Sequence, residues 1–299
     1  MPPTLTPATT RASFAIGSEA AARRVVDLLT ESFFEGQAAI AASVRADGFW
    51  DITVHFTEAP DEASIRELVG LAAGSDVADN VSFDTVEPKD WVAATLEQLV
   101  PVRAGRFIVH GRHDHAKIPV NKIAIEIEAA LAFGTGHHGT TRGCLLLLDS
   151  VLKAHRPRRV LDLGTGSGVL AIAAAKALHD AVLASDIDSV SVATARDNAR
   201  LNRAGIWLET IRASGFSAPQ FARRAPFDLV LANILANPLR QMATPMARHL
   251  APSALVILSG LLPYQASSVI SAYRARGLVL VRQLQIEGWS SLLLRYPGS

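Results

Sequence analysis

The stretch VLDLGTGSGVLAIAAAKAL, residues 160–178, decides how the rest of the chain is read. A short apolar run, Val160 to Leu163, leads into glycines at alternate positions, Gly164, Gly166 and Gly168, and an alanine- and leucine-rich segment follows at once. The order is strand, glycine turn, helix. Such a turn lets a ligand approach bare backbone, and the N–H groups of the following helix favour electron-rich atoms. A nucleotide-like ligand is the first expectation.

Which nucleotide depends on the neighbours of the turn. A dinucleotide fingerprint needs its third glycine one position later, and a triphosphate loop needs a lysine that is missing here. Instead an acid comes first, in the pattern Asp162-x-Gly164-x-Gly166-x-Gly168. A carboxylate before the turn repels a pyrophosphate but accepts hydrogen bonds from a cation or from backbone amides. The next strand ends in ASDID, which places Asp186 about twenty residues on, where an acid can hold both ribose hydroxyls. An amine and a ribose without a phosphate describe S-adenosylmethionine. The bland alternative is that Asp162 and Asp186 only cap neighbouring turns.

Two further stretches gather near the same place. LANILANPL puts Asn233 at the end of the fourth core strand, and open α/β sheets bind ligands at the carboxyl ends of strands beside the topological switch. An Asn amide oxygen there can accept a hydrogen bond from an incoming amine and aim its lone pair, although Asn also serves as a helix cap or turn residue. AFGTGHHGTT, residues 132–141, is a glycine-hinged loop whose hydroxyls can reach a ligand over the switch point.

Working outward, 299 residues with 49% hydrophobic and 19% charged composition make an ordinary globular chain of one or two domains. No apolar run is long enough for a membrane helix, the start does not read as a secretory signal, and the single cysteine, Cys144, fits a reducing cytoplasm and a core position. Net charge is +1, but residues 1–100 hold 16 acids and 6 bases while the remainder hold 12 acids and 23 bases. Two regions of opposite sign suggest two domains with different partners.

The first hundred residues read in the order βαββαβ, a small ferredoxin-like α+β domain over residues 1–88. Its strand candidates are ASFAIG, AAIAASV, FWDITVHF and VSFDTV, and its helices open at Ser18 and after Pro60. PKDWVAATLEQLVP reads as a linker helix, placed at 89–104. Residues 105–299 form the α/β domain, whose seven strand candidates are RVLDL, AVLAS, WLETI, FDLVLA, ALVILS, LVLVRQLQ and SSLLLRY. The last two are joined only by IEGW, too short for a parallel crossover. A doubly wound, mostly parallel seven-stranded sheet with a C-terminal antiparallel hairpin follows. HGRHDH, residues 110–115, reads as a surface loop without cysteine partners, so no metal is expected.

The motifs AFGTGHHGTT, VLDLGTGSGVLAIAAAK, SDID with ARDNARLN, NILANPL and DWVAATLEQLVPVRAGRFIV together resemble the PrmA family of bacterial methyltransferases. Those enzymes act on large-subunit ribosomal protein eleven. The resemblance runs from about Asp90 onward and is weaker in the N-terminal domain. It implies a cytoplasmic, monomeric protein-lysine methyltransferase. Methyl groups pass from S-adenosylmethionine to lysine side chains and the N-terminal amine of that ribosomal protein, which the acidic N-terminal domain recognises.

The family's ligand contacts map onto Thr141, Gly164, Asp186 and Asn233. With the residues of the turn, the expected cofactor set is Thr141, Asp162, Gly164, Gly166, Gly168, Asp186 and Asn233, with Asn233 also catalytic. HHGTT stands where many members carry THPTT, and Asn237 where many carry Gly. An acidic domain attracts a basic protein and repels bare RNA, so direct nucleic-acid recognition is not expected. The arginines between Arg196 and Arg203 keep an RNA substrate open as an alternative, beside a small-molecule substrate and a non-catalytic assembly factor.

Overall fold

The structure, a computed structural model, describes residues 9–33, 38–45, 47–56, 59–86, 101–127 and 138–298. Residues 89–100 of the expected linker helix and most of the loop 132–141 lie outside them, and the last residues of that linker, Val102–Ala104, form a strand instead of helix. The chain divides into two compact units, Met1–Gln98 and Leu99–Ser299.

The first unit comprises β1 (Thr9–Ile16), α1 (Glu19–Ser32), β2 (Ala38–Val44), β3 (Trp50–Phe56), α2 (Glu62–Ala73), α3 (Ser75–Asp79) and β4 (Ser82–Val86). Its sheet has the order β2-β3-β1-β4, antiparallel throughout. Period-two alternation turns Ala12, Phe14 and Ile16 of β1 and Ile52, Val54 and Phe56 of β3 inward. Val25 and Leu29 of α1 and Ile65 and Val69 of α2 complete this core. Ser18 caps α1 by accepting from Ala21 N, and α2 starts at the Asp61 cap and stops at Gly74, whose φ of 96° suits only glycine.

The second unit opens with β5 (Val102–Ala104), β6 (Phe107–His110), a 3-10 helix (Arg112–Lys117) and β7 (Ile123–Glu126), which form a small three-stranded sheet. The principal run follows: α4 (His138–Ala154), β8 (Val160–Leu163), α5 (Val169–Leu178), β9 (Val182–Asp186), α6 (Ser189–Leu201) and β10 (Leu208–Arg212). It continues through α7 (Pro219–Arg224), β11 (Phe227–Asn233), α8 (Ala236–Ala247), β12 (Leu250–Leu261), α9 (Ala266–Arg274), β13 (Val279–Ile286) and β14 (Trp289–Arg295).

The sheet order is β10-β9-β8-β11-β12-β14-β13, parallel as far as β12, with β14 antiparallel to both of its neighbours. The expected hairpin closes through Glu287 and Gly288, both at positive φ (51° and 79°), as a two-residue turn between twisted strands requires. β8 is buried on both faces: Val160 joins the core beneath α4 and α5, whereas Leu161 and Leu163 join the one formed by α8 and α9. Such double burial is why VLDL and FDLVLA read as continuous apolar runs. α5 is apolar all round because it is covered on every side; Val169 to Ala175 are all buried. Cys144 lies in the same core, and burial pushes its thiol up to about 12.

Three elements differ from expectation. Residues 138–141, the end of the expected loop, are already helical in α4. β12 begins four residues before ALVILS, because the chain stays extended through Pro252 and Ser253, the latter at φ 64°. β5 is a three-residue strand that pairs with β6.

Candidate functional site

The glycine turn links the carboxyl ends of β8 and β9. Gly164 N and Thr165 N both donate to the Ser185 carbonyl, at 2.8 and 2.9 Å, and Gly166 N donates to Asp186 Oδ2 at 2.8 Å. Gly164, Gly166 and Gly168 all have positive φ (70°, 52° and 84°), which explains three glycines in five residues. Each also has a separate steric role. A Cβ on Gly164 would stand 2.3 Å from Ile234 Cγ2, one on Gly168 would stand 3.1 Å from Ala195, and one on Gly166 would meet nothing within 4 Å.

β8 leads to β9 on one side and its other neighbour is β11, so the topological switch falls between β8 and β11. A cavity of about 260 Å³ opens there, lined by Thr140, Thr141, Asp162, Gly164, Gly166, Asn233, Ile234, Gly260 and Trp289 among others. Asp162 is 1% exposed. Its Oδ2 accepts from Thr165 Oγ1 at 2.6 Å and Ala171 N at 3.1 Å, while its buried Oδ1 has no hydrogen-bond partner among the described residues. Burial raises the Asp162 carboxyl to about 7, the two hydrogen bonds pull it down, and the Asp186 charge adds to the rise.

Opposite the turn, Asn233 Nδ2 donates to Thr140 Oγ1 at 3.3 Å. The start of α4 is held by a buried hydroxyl web: Ser259 Oγ donates toward the Thr140 carbonyl at 3.4 Å and stands 2.8 Å from Ser291 Oγ. Gly139 and Gly143 let the same helix close on the hairpin, since a Cβ at either would stand under 3 Å from Ile286 or Ser291. Arg142 adds an exposed ion pair to Glu287 at 3.2 Å.

Of the residues expected from sequence, Thr141, Asp162, Gly164, Gly166 and Asn233 converge on this cavity. Gly168 and Asp186 do not line it. Gly168 lies under α6, and the Asp186 carboxylate accepts from Gly166 N and Asp188 N. Gly260 and Trp289 line the cavity but were not expected, because nothing local in LSGLLP or EGWSS marks them; only the sheet order brings them there. His137 lies outside the described residues, and His138 begins α4.

An open sheet of this order, with an antiparallel pair at one edge and a cavity at the switch point, is the architecture of the class I methyltransferases. Within that class the chain belongs to the family described as ribosomal protein L11 methyltransferase (PrmA), which it matches over residues 12–296. It is 71% identical to the ribosomal protein L11 methyltransferase of Bradyrhizobium diazoefficiens, over 97% of this chain and 98% of that one. It is 68% identical to the protein of the same description from Rhodopseudomonas palustris, over 96% and 97%. Among solved structures it is similar to the ribosomal protein L11 methylase of Lactobacillus delbrueckii subsp. bulgaricus, with a TM-score of 0.60 and 27% identity over 67% of this chain and 100% of that one.

Proposed function

We propose that this methyltransferase moves methyl groups from S-adenosylmethionine to lysine side-chain amines and the N-terminal amine of ribosomal protein L11. Membership of the family across residues 12–296 carries the reading. The cavity fits the cofactor on a separate ground: a buried, unpartnered carboxylate oxygen on Asp162 suits an ammonium, and the open space at Gly166 leaves bare backbone for the rest of the ligand. In this reading Asp162 takes the ammonium, Asp186 the ribose, and Thr141 and the turn the remainder. Residues 1–88 recognise the basic substrate protein, the segment from 89 up to β5 links, and the unit that opens with β5 transfers.

The bound cofactor supplies a methyl already activated on a sulfonium. The chain supplies alignment and a neutral amine. A free lysine amine titrates near 10.4, and burial beside a cation lowers that value. Asn233, its nitrogen turned to Thr140, offers its oxygen to the incoming N–H and so directs the lone pair. Asp162 is the only titratable side chain among the described residues that line the cavity, and the ammonium engages it, so water takes the proton.

Intact-mass spectrometry of large-subunit ribosomal proteins incubated with the chain and S-adenosylmethionine tests this. Methyl increments confined to L11 are expected. Increments on another protein or on RNA, or none while cofactor binds, overturn the substrate.

Cofactor affinity should also depend on pH. In the free protein the raised Asp162 value gives a stability contribution that is whole below about pH 4 and lost as pH rises through about 7. An ammonium needs the ionised carboxylate, so binding must remove this proton. Affinity should therefore rise roughly 25-fold from pH 5.5 to 7.5, below the range of about 7.7–8.0 where an α-amine itself deprotonates. Equilibrium titration of Asp162→Asn should show weaker binding with that slope gone; a flat wild-type profile refutes the assignment.

A further inference from the structure

Outside the cavity, one cluster has the make-up of a metal centre. His110 ends β6 and Glu126 ends β7, and the two are register partners on adjacent parallel strands. His115 comes from the intervening 3-10 helix. One ligand atom from each of the three lies within 4.8 Å of the others.

The hydrogen bonds fix which atoms are available. His110 is 4% exposed, and its Nδ1 stands 2.8 Å from the Gly111 carbonyl. A carbonyl only accepts, so Nδ1 carries the proton and Nε2 the lone pair. That Nε2 is buried and has no hydrogen-bond partner among the described residues. A histidine that donates one ring N–H to a backbone carbonyl and presents the other nitrogen bare is the form a metal ligand takes. His115 Nδ1 lies 2.9 Å from Glu126 Oε2, and the Glu126 side chain is only 13% exposed.

The scaffold is held from behind. Glu126 N donates to Asn202 Oδ1 at 2.8 Å, and Asn202 Nδ2 donates back to the Glu126 carbonyl at 2.6 Å. Asp114, the nearby acid, is engaged by Lys117 and His113 at 2.8 and 3.0 Å and is not part of the set.

We propose that His110 Nε2, His115 Nδ1 and a Glu126 carboxylate oxygen bind a divalent cation of the zinc type. Two imidazoles and a carboxylate are a zinc donor set, and a water completes four ligands. Ligand atoms on a tetrahedron with arms of about 2.0–2.1 Å stand roughly 3.3 Å apart. The Nδ1–Oε2 pair, 2.9 Å apart, is already near that spacing, and the three ligand atoms lie within 4.8 Å of one another, so small side-chain rotations, easiest for the exposed His115 ring, bring them to it. The cation takes the place of the proton in the His115–Glu126 hydrogen bond, and that proton passes through water to the exposed ring's Nε2, so the ring stays neutral. Because these residues do not line the cavity, the metal ties β6, β7 and the 3-10 helix together and takes no part in methyl transfer.

Tag-free, chelator-stripped full-length chain is dialysed against Zn²⁺ and its metal content measured, with affinity from calorimetry. One Zn²⁺ per chain is expected. Affinity should fall at least tenfold in His115→Ala and in Glu126→Gln, and stay within twofold in the neighbouring control His113→Ala. Zn²⁺ should raise the melting temperature of the wild type and the control but not of the other two. His115 is exposed, so its variant folds and keeps the comparison valid. No retained Zn²⁺ on the wild type, or wild-type affinity in His115→Ala, refutes the site.

Discussion

Asn233→Ala is expected to bind S-adenosylmethionine within about threefold of wild type and to lose on the order of 10²-fold in kcat. The amide stands at the carboxyl end of β11, tethered through its nitrogen to Thr140 Oγ1, and that hydroxyl sits on a helix whose first turn is fixed to β12 and β14. The side chain therefore has one orientation to offer an amine. Alanine leaves the cavity walls in place and removes only the acceptor, so the loss should appear in turnover. Asn233→Asp keeps an acceptor oxygen and should retain more activity than the alanine variant. Single-turnover assays on L11 beside cofactor titrations separate the two effects. Full turnover by Asn233→Ala with normal cofactor binding contradicts the role.

Gly164→Ala should be the most damaging change in the turn. Any other residue at φ 70° costs about 1–2 kcal/mol in backbone strain. The new methyl would also stand 2.3 Å from Ile234 Cγ2. Ile234 cannot swing away cheaply: its side chain is β-branched and stiff at χ1. Its backbone is backed by Gly260, where a Cβ would stand 2.3 Å from the Ile234 carbonyl oxygen. Overpacking of this kind adds about 1–3 kcal/mol, so the expected loss is roughly 2–5 kcal/mol, with cofactor affinity down more than tenfold as the wall moves. Gly166→Ala meets nothing within 4 Å and should cost only about 1–2 kcal/mol of strain. Urea unfolding of both variants without cofactor reads the difference; equal losses contradict the steric account.

Legibility from sequence followed the physical origin of each feature. β8, β11 and α5 were readable because burial keeps them almost wholly apolar, and Asp162 was conspicuous as the acid inside the buried β8 run. The terminal hairpin followed from the short IEGW connection, whereas the order of the strands was not legible. β5 was missed because three residues carry no period, and the first part of β12 because Pro252 and Ser253 have the chemistry of a turn while neighbouring strands keep them extended. Of the cavity lining, Asp162, Gly164, Gly166 and Asn233 were recoverable from the turn and the strand ends, whereas Gly168 and Asp186, chosen on the same ground, do not line it. Gly260 and Trp289 were not recoverable, because their place on the cavity wall depends on which strands become neighbours. Glu126 was missed as a companion to His110 and His115 for the same reason: strand register, not sequence proximity, brings it to them.

β14 follows every other strand of the large sheet in the chain, yet it lies inside the sheet, between β12 and β13. On a growing polypeptide this imposes a wait. β12, whose Ala254 to Leu258 are apolar and buried in the finished fold, has an open edge until both later strands have been made. Trp289, a wall of the cavity, and Ser291, a brace for α4, also arrive only then. Synthesis therefore completes the cavity wall and the protection of the sheet in the same step, and a half-made chain has neither.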